Sequence, residues 1–217
     1  MISTHFVFDF GRVLFDWQPE RLLQRLLPER ASDAASAEHW VAQVFQSYGG
    51  DWGEFDRGSV TPDELVRRIA SRTGLAPDEV QRVVDGAPPS LTPLPDSMAL
   101  LQRLRQPGVP MFYLSNMPAP FADHLEREHA FVREFDDGVF SARVNLIKPD
   151  PAIFALASKR FGLAPAGLVF LDDHPANVAA ARAAGWRSLL FSDAAQCEQD
   201  LRQAGWWPQA SDQHLPG

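Results

Sequence analysis

Cysteine and lysine are scarce in this 217-residue chain, which contains one cysteine, Cys197, and two lysines, Lys148 and Lys159. A single cysteine excludes an intramolecular disulfide and is typical of a protein in a reducing compartment. Runs of basic residues are missing too, and the formal net charge of -8 argues against nucleic-acid binding, which needs a positive surface. We therefore predict a cytoplasmic protein that does not bind nucleic acid.

Long hydrophobic runs are also missing from the sequence. No apolar stretch is long enough to span a bilayer, and the first residues show neither the basic region nor the apolar core of a signal peptide. We therefore expect no association with a membrane. At 45% hydrophobic and 22% charged residues, the composition is that of an ordinary globular protein, and it leaves the oligomeric state open. The length allows one large domain, or a domain with an inserted module.

What the sequence does contain is an apolar run, Phe6-Val7-Phe8, that stops at Asp9 and is followed closely by Gly11. A short run of this kind predicts a strand that is buried on both faces. Asp9 needs a partner, because an unpaired carboxylate in an apolar site is costly. Gly11 permits a tight turn and the close approach of a ligand to the backbone. A strand end followed by an ordinary turn explains these residues equally well, unless other strands bring matching chemistry to the same edge.

Residues 17–89 show the periodicity of helices and no convincing strand. The segment Thr61-Pro62-Asp63-Glu64 has the residues of a helix start, with Thr61 as the N-cap and proline at the first helical position. This region therefore predicts a small helical bundle inserted after the first strand. Helices are predicted over residues 19–27, 38–48, 61–74 and from residue 76. The glycine-rich residues 49–53 are interpreted as a connection between helices, with a flexible loop that contacts the site as a lid as the alternative.

Strand and helix patterns alternate after a proline-rich linker formed by Pro88-Pro89 and residues 91–95. Alternation of this kind is typical of a parallel sheet with helices on both faces. The predicted strands are residues 109–114, 139–144, 168–171 and 188–191. The predicted helices are residues 96–105, 118–129, 150–161, 176–184 and 194–204, and a loose polar tail follows from residue 208.

Three of the predicted strands stop at polar groups: Asp9, Ser115-Asn116 and Asp172-Asp173. Ligands of open α/β sheets bind outside the carboxyl ends of the strands, and parallel pairing would bring these groups to one such edge. Lys148 lies in a loop that can reach the same edge. Each group alone can be explained as a helix cap or a surface residue, but their coincidence favours a site.

The charges predicted at this edge are three negative ones, on Asp9, Asp172 and Asp173, and one positive one, on Lys148. Crowded carboxylates repel each other unless a cation joins them. Oxygen ligands without a Cys or His cluster suit Mg²⁺, which would bring the total charge to zero. A phosphate could then bind through the Ser115 hydroxyl, Lys148 and backbone N–H groups. Asp9 would be free to attack its phosphorus atom.

Four segments of the sequence, in order and with matching spacing, resemble the haloacid dehalogenase superfamily. The likeness is to its sugar-phosphate-phosphatase-like and epoxide-hydrolase-N-domain-like phosphatases, and it covers essentially the whole chain apart from the tail. It implies an α/β fold with a Rossmann-like catalytic core of residues 1–16 and 90–217, and an inserted helical cap domain of residues 17–89. The matching segments are Phe8–Leu14, Leu114–Asn116, Lys148–Phe154 and Phe170–Asn177.

The resemblance also implies a role for each residue of the predicted site. A phosphate would be transferred from a small phosphomonoester, such as a sugar phosphate, to Asp9. Asp9, the Gly11 carbonyl and Asp173 would hold Mg²⁺, and Asp172 would support the metal directly or through water. Asn177 would orient the acidic loop. The residues that would bind the phosphate are Ser115, Lys148, Gly11, Arg12 and Asn116.

Position 11 departs from the pattern of the superfamily. Most of its phosphatases have Asp two residues after the nucleophile as general acid and base, whereas a subset that includes phosphatases of sugar phosphates has glycine, as here. General acid–base catalysis is typically worth about 10²–10⁴-fold in rate. Without it, the rate is expected to fall steeply as the leaving group becomes more basic. His174, beside the acidic pair, is a candidate substitute, although a histidine in an exposed loop is its simpler interpretation.

Three functions stay open at this point. The favoured one is a Mg²⁺-dependent phosphatase that forms an aspartyl phosphate on Asp9. A haloacid dehalogenase would use Asp9 to attack carbon and needs no metal, but the surplus negative charge of Asp172-Asp173 would hinder a carboxylate substrate. The third is a catalytically weak member of the superfamily that binds a ligand or partner.

Overall fold

A computed structural model describes residues 4–208, so the predicted polar tail, apart from Pro208, lies outside the described residues. The strands in chain order are β1 (His5–Phe8), β2 (Phe15–Asp16), β3 (Thr92–Pro93), β4 (Phe112–Ser115), β5 (Asp137–Phe140), β6 (Leu168–Asp172) and β7 (Arg187–Leu190). Five of them form a parallel sheet in the order β5-β4-β1-β6-β7, and β2 pairs with β3 in a short antiparallel ribbon.

The central strand β1 is buried on both faces. All four of its residues are buried, and Val7 lies opposite Phe112 of β4 and Phe170 of β6. Parallel strands covered on both sides consist of unbroken apolar residues, which explains the run in the sequence. The Asp9 N–H donates to the Leu171 carbonyl at 3.0 Å, so the ladder with β6 extends to this residue. The middle of the sheet therefore presents Asp9 at its carboxyl edge.

Helices cover the sheet on both faces, which confirms the predicted α/β class. In the described chain the helices are α1 (Pro19–Leu26), α2 (Ala34–Phe45), α3 (Gly50–Arg57), α4 (Pro62–Thr73), α5 (Pro77–Ser90), α6 (Pro95–Leu104), α7 (Ala119–Glu128), α8 (Pro151–Phe161), α9 (Pro175–Ala183) and α10 (Ala194–Gln203). Phe6 and Phe8 share an apolar cluster with α6, α7 and α10, whereas Val7 lies in a second cluster with α8 and α9.

Helices α1 to α5 occupy the region where the sequence predicts a helical bundle. Helix α4 begins as predicted, because Thr61 Oγ1 accepts a hydrogen bond from the Glu64 N–H at 3.2 Å. Buried residues of these helices join the same apolar cluster as Phe6 and Phe8. The assignment of residues 17–89 as a separate cap domain stays a prediction.

Within the described residues, no helix is both long and apolar enough to cross a membrane.

The structure corrects the two predicted connections of this region. Residues 49–53 are not a plain connection, because α3 begins at Gly50. Trp52 and Phe55 of α3 are buried and contact Phe121, and this packing outweighs the low helix propensity of glycine. Pro88 and Pro89 lie in the last turn of α5 rather than in a linker. Each proline lacks the N–H that would bond to the carbonyl four residues earlier, and α5 ends at Ser90, directly after them.

Two predicted strands are shorter or shifted in the structure. β4 begins only at Phe112, because Pro110 has no N–H to donate and the Val109 N–H bonds to the Gln106 carbonyl in a turn. β5 begins at Asp137 and ends at Phe140, and a 3₁₀ helix over Ser141–Arg143 replaces the rest of the predicted strand. The turn into this helix places Ser141 beside the end of β4, where its hydroxyl accepts a hydrogen bond from the Met117 N–H at 2.8 Å.

Candidate active site at the carboxyl edge of the sheet

Lys148 lies between two carboxylates at the carboxyl edge of the sheet. Its Nζ is 2.8 Å from Oδ1 of Asp9 and 2.6 Å from Oδ2 of Asp172, and its side chain is 1% exposed. Burial opposes the charged form of the lysine, but the charges of Asp172 and Asp9 outweigh this effect and raise the pKa of Lys148. The lysine is therefore held as a cation in the centre of the acidic cluster.

Asp172 is the carboxylate with the most hydrogen-bond partners in this cluster. It is fully buried at the end of β6, and its Oδ1 accepts from the His174 N–H at 2.8 Å and from Asn177 Nδ2 at 3.0 Å. Its Oδ2 accepts from Asn177 Nδ2 at 3.1 Å and from Lys148 Nζ at 2.6 Å. Asn177 thus fixes the acidic loop at the start of α9, and both oxygens of Asp172 are occupied by donors.

Asp9 and Asp173 have free acceptor capacity. Asp9 Oδ1 forms the ion pair with Lys148 but accepts no well-aligned hydrogen bond from any described residue. The Asp173 carboxylate likewise accepts no hydrogen bond from the residues that the structure describes. One oxygen of each of Asp9, Asp172 and Asp173 lies within 4.8 Å of the others. Burial and the neighbouring Asp172 raise the pKa of Asp9 to about 7, against the effect of Lys148. Burial and Asp172 also raise the pKa of Asp173. The cluster is thus a pocket of oxygens with excess negative charge.

Ser115 and Asn116, at the end of β4, have different surroundings. Ser115 is buried, and its hydroxyl bonds to none of the residues that the structure describes. The Asn116 side chain is occupied at both ends by the backbone of Lys148: Nδ2 donates to the carbonyl at 3.0 Å and Oδ1 accepts from the N–H at 2.8 Å. The hydroxyl of Ser115 is available to a ligand, whereas the Asn116 amide fixes the lysine loop.

The turn after Asp9 differs from the sequence expectation. Arg12, not Gly11, is the residue with left-handed backbone, at φ 58°. A Cβ added at Gly11 would meet only Cβ of Trp17, at 3.9 Å. The turn therefore does not require glycine at position 11. The exposed Arg12 side chain donates to the Trp17 carbonyl at 3.4 Å, and its charge acts on Asp173.

Asp56 on α3 is a residue of this region that the sequence analysis missed. It is 5% exposed, and burial raises its pKa to about 8, with Lys148 opposing the rise and Asp9 adding to it. The spacing in the sequence contains a signal for this position, because Trp52, Phe55 and Asp56 lie at positions i, i+3 and i+4 and so share one helix face.

His174, the candidate substitute acid of the sequence analysis, is exposed. Its Nδ1 accepts a hydrogen bond from the Ala176 N–H at 3.3 Å and so caps α9.

The family model of haloacid dehalogenase-like hydrolases matches residues 4–185 of the chain. The chain is 29% identical over 198 residues to the sesquiterpene phosphatase astK of Aspergillus oryzae. The matched region covers 91% of this chain and 94% of that protein. It is 28% identical over 148 residues to the (S)-2-haloacid dehalogenase H-109 of Pseudomonas putida, over 68% of this chain and 63% of the relative.

The fold has a counterpart among solved structures. A haloacid dehalogenase family enzyme of Bacteroides thetaiotaomicron, solved in complex with magnesium and inorganic phosphate, superposes with a TM-score of 0.67 at 19% identity. The match covers 86% of this chain and 93% of that one. At this identity the likeness concerns the fold. Together with the family match, it shows that the chain belongs to the haloacid dehalogenase-like hydrolases.

Proposed function

We propose that the protein is a Mg²⁺-dependent phosphatase that hydrolyses a small phosphomonoester through an aspartyl phosphate on Asp9. The observation that carries the proposal is the grouping of Asp9, Asp172 and Asp173 around one buried lysine. Such an excess of carboxylate oxygen needs a cation beyond Lys148. The match to a relative named as a phosphatase over nearly the whole chain supports the same activity.

The residues of the cluster fit a magnesium ion. Asp9 Oδ1 is a buried oxygen that pairs with Lys148 but accepts no well-aligned hydrogen bond, and no described residue donates a hydrogen bond to Asp173. We expect Asp9, Asp173 and the Gly11 carbonyl to hold Mg²⁺, which prefers hard oxygen ligands. Asp172 would support the site mainly through its hydrogen bonds, since both of its oxygens already accept from other groups. When bound, the metal supplies positive charge that offsets the repulsion between a phosphate and the carboxylates.

The protein groups then have distinct tasks. The Ser115 hydroxyl and the Lys148 ammonium group would donate hydrogen bonds to the phosphate oxygens, with backbone N–H groups near Arg12 as further donors. A carboxylate oxygen of Asp9 attacks phosphorus, and the bond from phosphorus to the alcohol oxygen breaks. Water then hydrolyses the aspartyl phosphate and releases inorganic phosphate. Asn116 serves this chemistry indirectly, because it fixes the backbone of Lys148.

The alcohol part of the substrate can be a sugar, as the resemblance in the sequence implies. The relative named as a sesquiterpene phosphatase adds apolar alcohols to the candidates. A library of sugar, polyol and isoprenoid monophosphates, assayed by phosphate release, would distinguish these classes.

Dehalogenation is the second candidate, because relatives named as (S)-2-haloacid dehalogenases match this chain. Their carboxylate substrates would meet the unpartnered charge of Asp173 beside Asp9, which disfavours this reaction here. A catalytically weak binding protein is the third candidate.

One set of assays separates the three functions. We expect phosphate release from p-nitrophenyl phosphate in Mg²⁺, its loss in EDTA, its return on adding Mg²⁺, and no chloride release from 2-chloropropionate. Asp9→Asn should keep the fold, as judged by circular dichroism, and lose all turnover. Turnover of this variant within a few-fold of wild type would contradict the assignment of the nucleophile.

A further inference from the structure

The C-terminal end of α3 is attached to the edge of the sheet that carries the candidate active site. The Asp56 carbonyl accepts a hydrogen bond from Ser141 Oγ, and the same hydroxyl accepts from the Met117 N–H, two residues beyond Ser115. Gly58 packs so closely that an added Cβ would lie 2.6 Å from the Ala142 carbonyl oxygen. These contacts fix the position of Asp56 relative to the ends of β4 and β5.

Asp56 is a buried residue whose carboxyl group has no partner among the described residues. Only 5% of the residue is exposed, and its side chain forms neither a hydrogen bond nor an ion pair within residues 4–208. A buried polar group without a partner is costly, so its retention requires an explanation. Lys148 and Asp9 are close enough for their charges to act on it. An unpartnered carboxyl group is thus held near the carboxyl edge of the sheet, within range of the charges of the nucleophile and of the phosphate-binding lysine of the proposed function.

Burial raises the pKa of Asp56 to about 8, which favours its protonated form at neutral pH. The charges of Lys148 and Asp9 act on Asp56, and the charge of Asp56 in turn acts on the Tyr48 phenol. The arginines on the elements packed against α3 are paired elsewhere: Arg143 with Asp123 and Glu126, Arg67 and Arg68 with Glu64, and Arg72 with Asp51.

We propose that Asp56 is the general acid that donates a proton to the leaving oxygen, a role that rests on the proposed phosphatase function. As an Asp9 oxygen bonds to phosphorus and the ester P–O bond breaks, the Asp56 proton moves to the departing oxygen and gives a neutral alcohol. The Asp56 carboxylate then takes a proton from the water that attacks phosphorus. Cleavage of the bond between phosphorus and the Asp9 oxygen releases phosphate and restores both carboxyl groups to their starting states.

In this role, Asp56 on α3 would provide the general acid that is missing at position 11, where the chain has glycine. The consequence is measurable in the leaving-group dependence. Gly11 alone predicts a rate that falls steeply as the leaving group becomes more basic. With Asp56 as the acid, the wild-type rate depends only weakly on the leaving group.

The test compares hydrolysis of p-nitrophenyl phosphate and n-butyl phosphate in saturating Mg²⁺. In rapid-quench measurements of phosphoenzyme formation, Asp56→Asn should release p-nitrophenol in the first turnover within a few-fold of wild type and lose about 10²–10³-fold in the first-turnover release of n-butanol, which needs protonation. The matched control is Glu54→Gln on the same helix, where the carboxylate bonds to Ser59 and lies near Arg57. This control should leave both rates unchanged.

Two further measurements keep the test independent of how well one variant folds. In the wild type, kcat for n-butyl phosphate should fall above pH 8, while kcat for p-nitrophenyl phosphate should not show the same fall. Adding Gly11→Asp to Asp56→Asn should restore alkyl ester hydrolysis, because position 11 accommodates a side chain.

The outcomes separate the two proposals. Equal losses of Asp56→Asn in the first-turnover release of both alcohols, an effect on KM alone, or a wild-type alkyl rate that does not fall above pH 8 would each overturn the role of Asp56 and leave the phosphatase function in place. A wild-type protein that hydrolyses neither ester would overturn the phosphatase function and the role of Asp56 with it.

Discussion

Asn116 binds both backbone polar groups of Lys148, with its Oδ1 at 2.8 Å from the N–H and its Nδ2 at 3.0 Å from the carbonyl. Through this pair of hydrogen bonds, the end of β4 fixes the loop that delivers the only lysine of the site. The position of the ammonium group between Asp9 and Asp172 therefore depends on a side chain that touches neither carboxylate in the described structure.

Substitution of Asn116 tests this support. Asn116→Ala leaves two partly buried backbone groups without partners, so we expect a loss of about 1–3 kcal/mol in the free energy of unfolding. Asn116→Asp can still accept from the Lys148 N–H, but its second oxygen would face the Lys148 carbonyl oxygen and repel it, so this variant should not recover the stability of wild type. Urea denaturation measures both variants. If Asn116→Ala is as stable as wild type, the two hydrogen bonds do not hold the loop.

The two neighbouring aspartates should respond differently to the same substitution. Asp173→Asn replaces a charged carboxylate that has no other partner with a neutral amide, so Mg²⁺ binding should weaken strongly while the melting temperature changes little. Asp172→Asn leaves the buried Lys148 with one carboxylate fewer and should cost about 3–5 kcal/mol of stability. Calorimetric Mg²⁺ titration and thermal melting separate the two effects. The assignment of the pair is reversed if Asp172→Asn weakens Mg²⁺ binding more than Asp173→Asn does.

Much of this site could be predicted from the sequence because parallel strands end at one edge. The apolar runs before Asp9, Ser115 and Asp172 determine which strands are buried, and their polar ends then meet whatever the details of the helices. Asp56 could not be placed in this way. Its position depends on how α3 packs against Phe121 and on the anchoring to Ser141, which are contacts between segments distant in the sequence.

The same limit explains the errors at Gly50 and Pro88. At Gly50, local propensity favours a connection, but the burial of Trp52 and Phe55 stabilises a helix there. At Pro88, local propensity favours a linker, but α5 continues to Ser90. At Gly11, the sequence pattern could not show that the left-handed residue of the turn is Arg12.

The stability of the protein should depend on pH through Asp56. Its pKa is about 8 in the folded protein against an ordinary value of 3.8, so the folded state holds a proton that the unfolded state loses as the pH rises between these values. Stability contributed by this proton is present at low pH and is lost as the pH rises towards 8. Asn cannot ionise, so the melting temperature of Asp56→Asn relative to wild type should rise from pH 4 to pH 8. A difference that is constant over this range would show that Asp56 is not held protonated.

Two glycines near the site should tolerate alanine very differently. Gly58, at the end of α3, has φ 82°, and an added Cβ would lie 2.6 Å from a backbone oxygen of Ala142. The left-handed backbone alone costs a non-glycine residue about 1–2 kcal/mol, and the clash adds to it, so Gly58→Ala should lose about 2 kcal/mol or more in the free energy of unfolding.

Gly11 is the matched comparison, because its backbone is not left-handed and the nearest atom to an added Cβ is 3.9 Å away, at Trp17. Gly11→Ala should therefore stay within about 0.5 kcal/mol of wild type, as substitutions without a specific structural conflict usually do. Denaturant unfolding of both variants gives the comparison directly. Equal losses would mean that Gly11, like Gly58, is required by the backbone. In that case the absence of a carboxylate at position 11 would have a structural cause, and the rescue of Asp56→Asn by Gly11→Asp would not be expected to work.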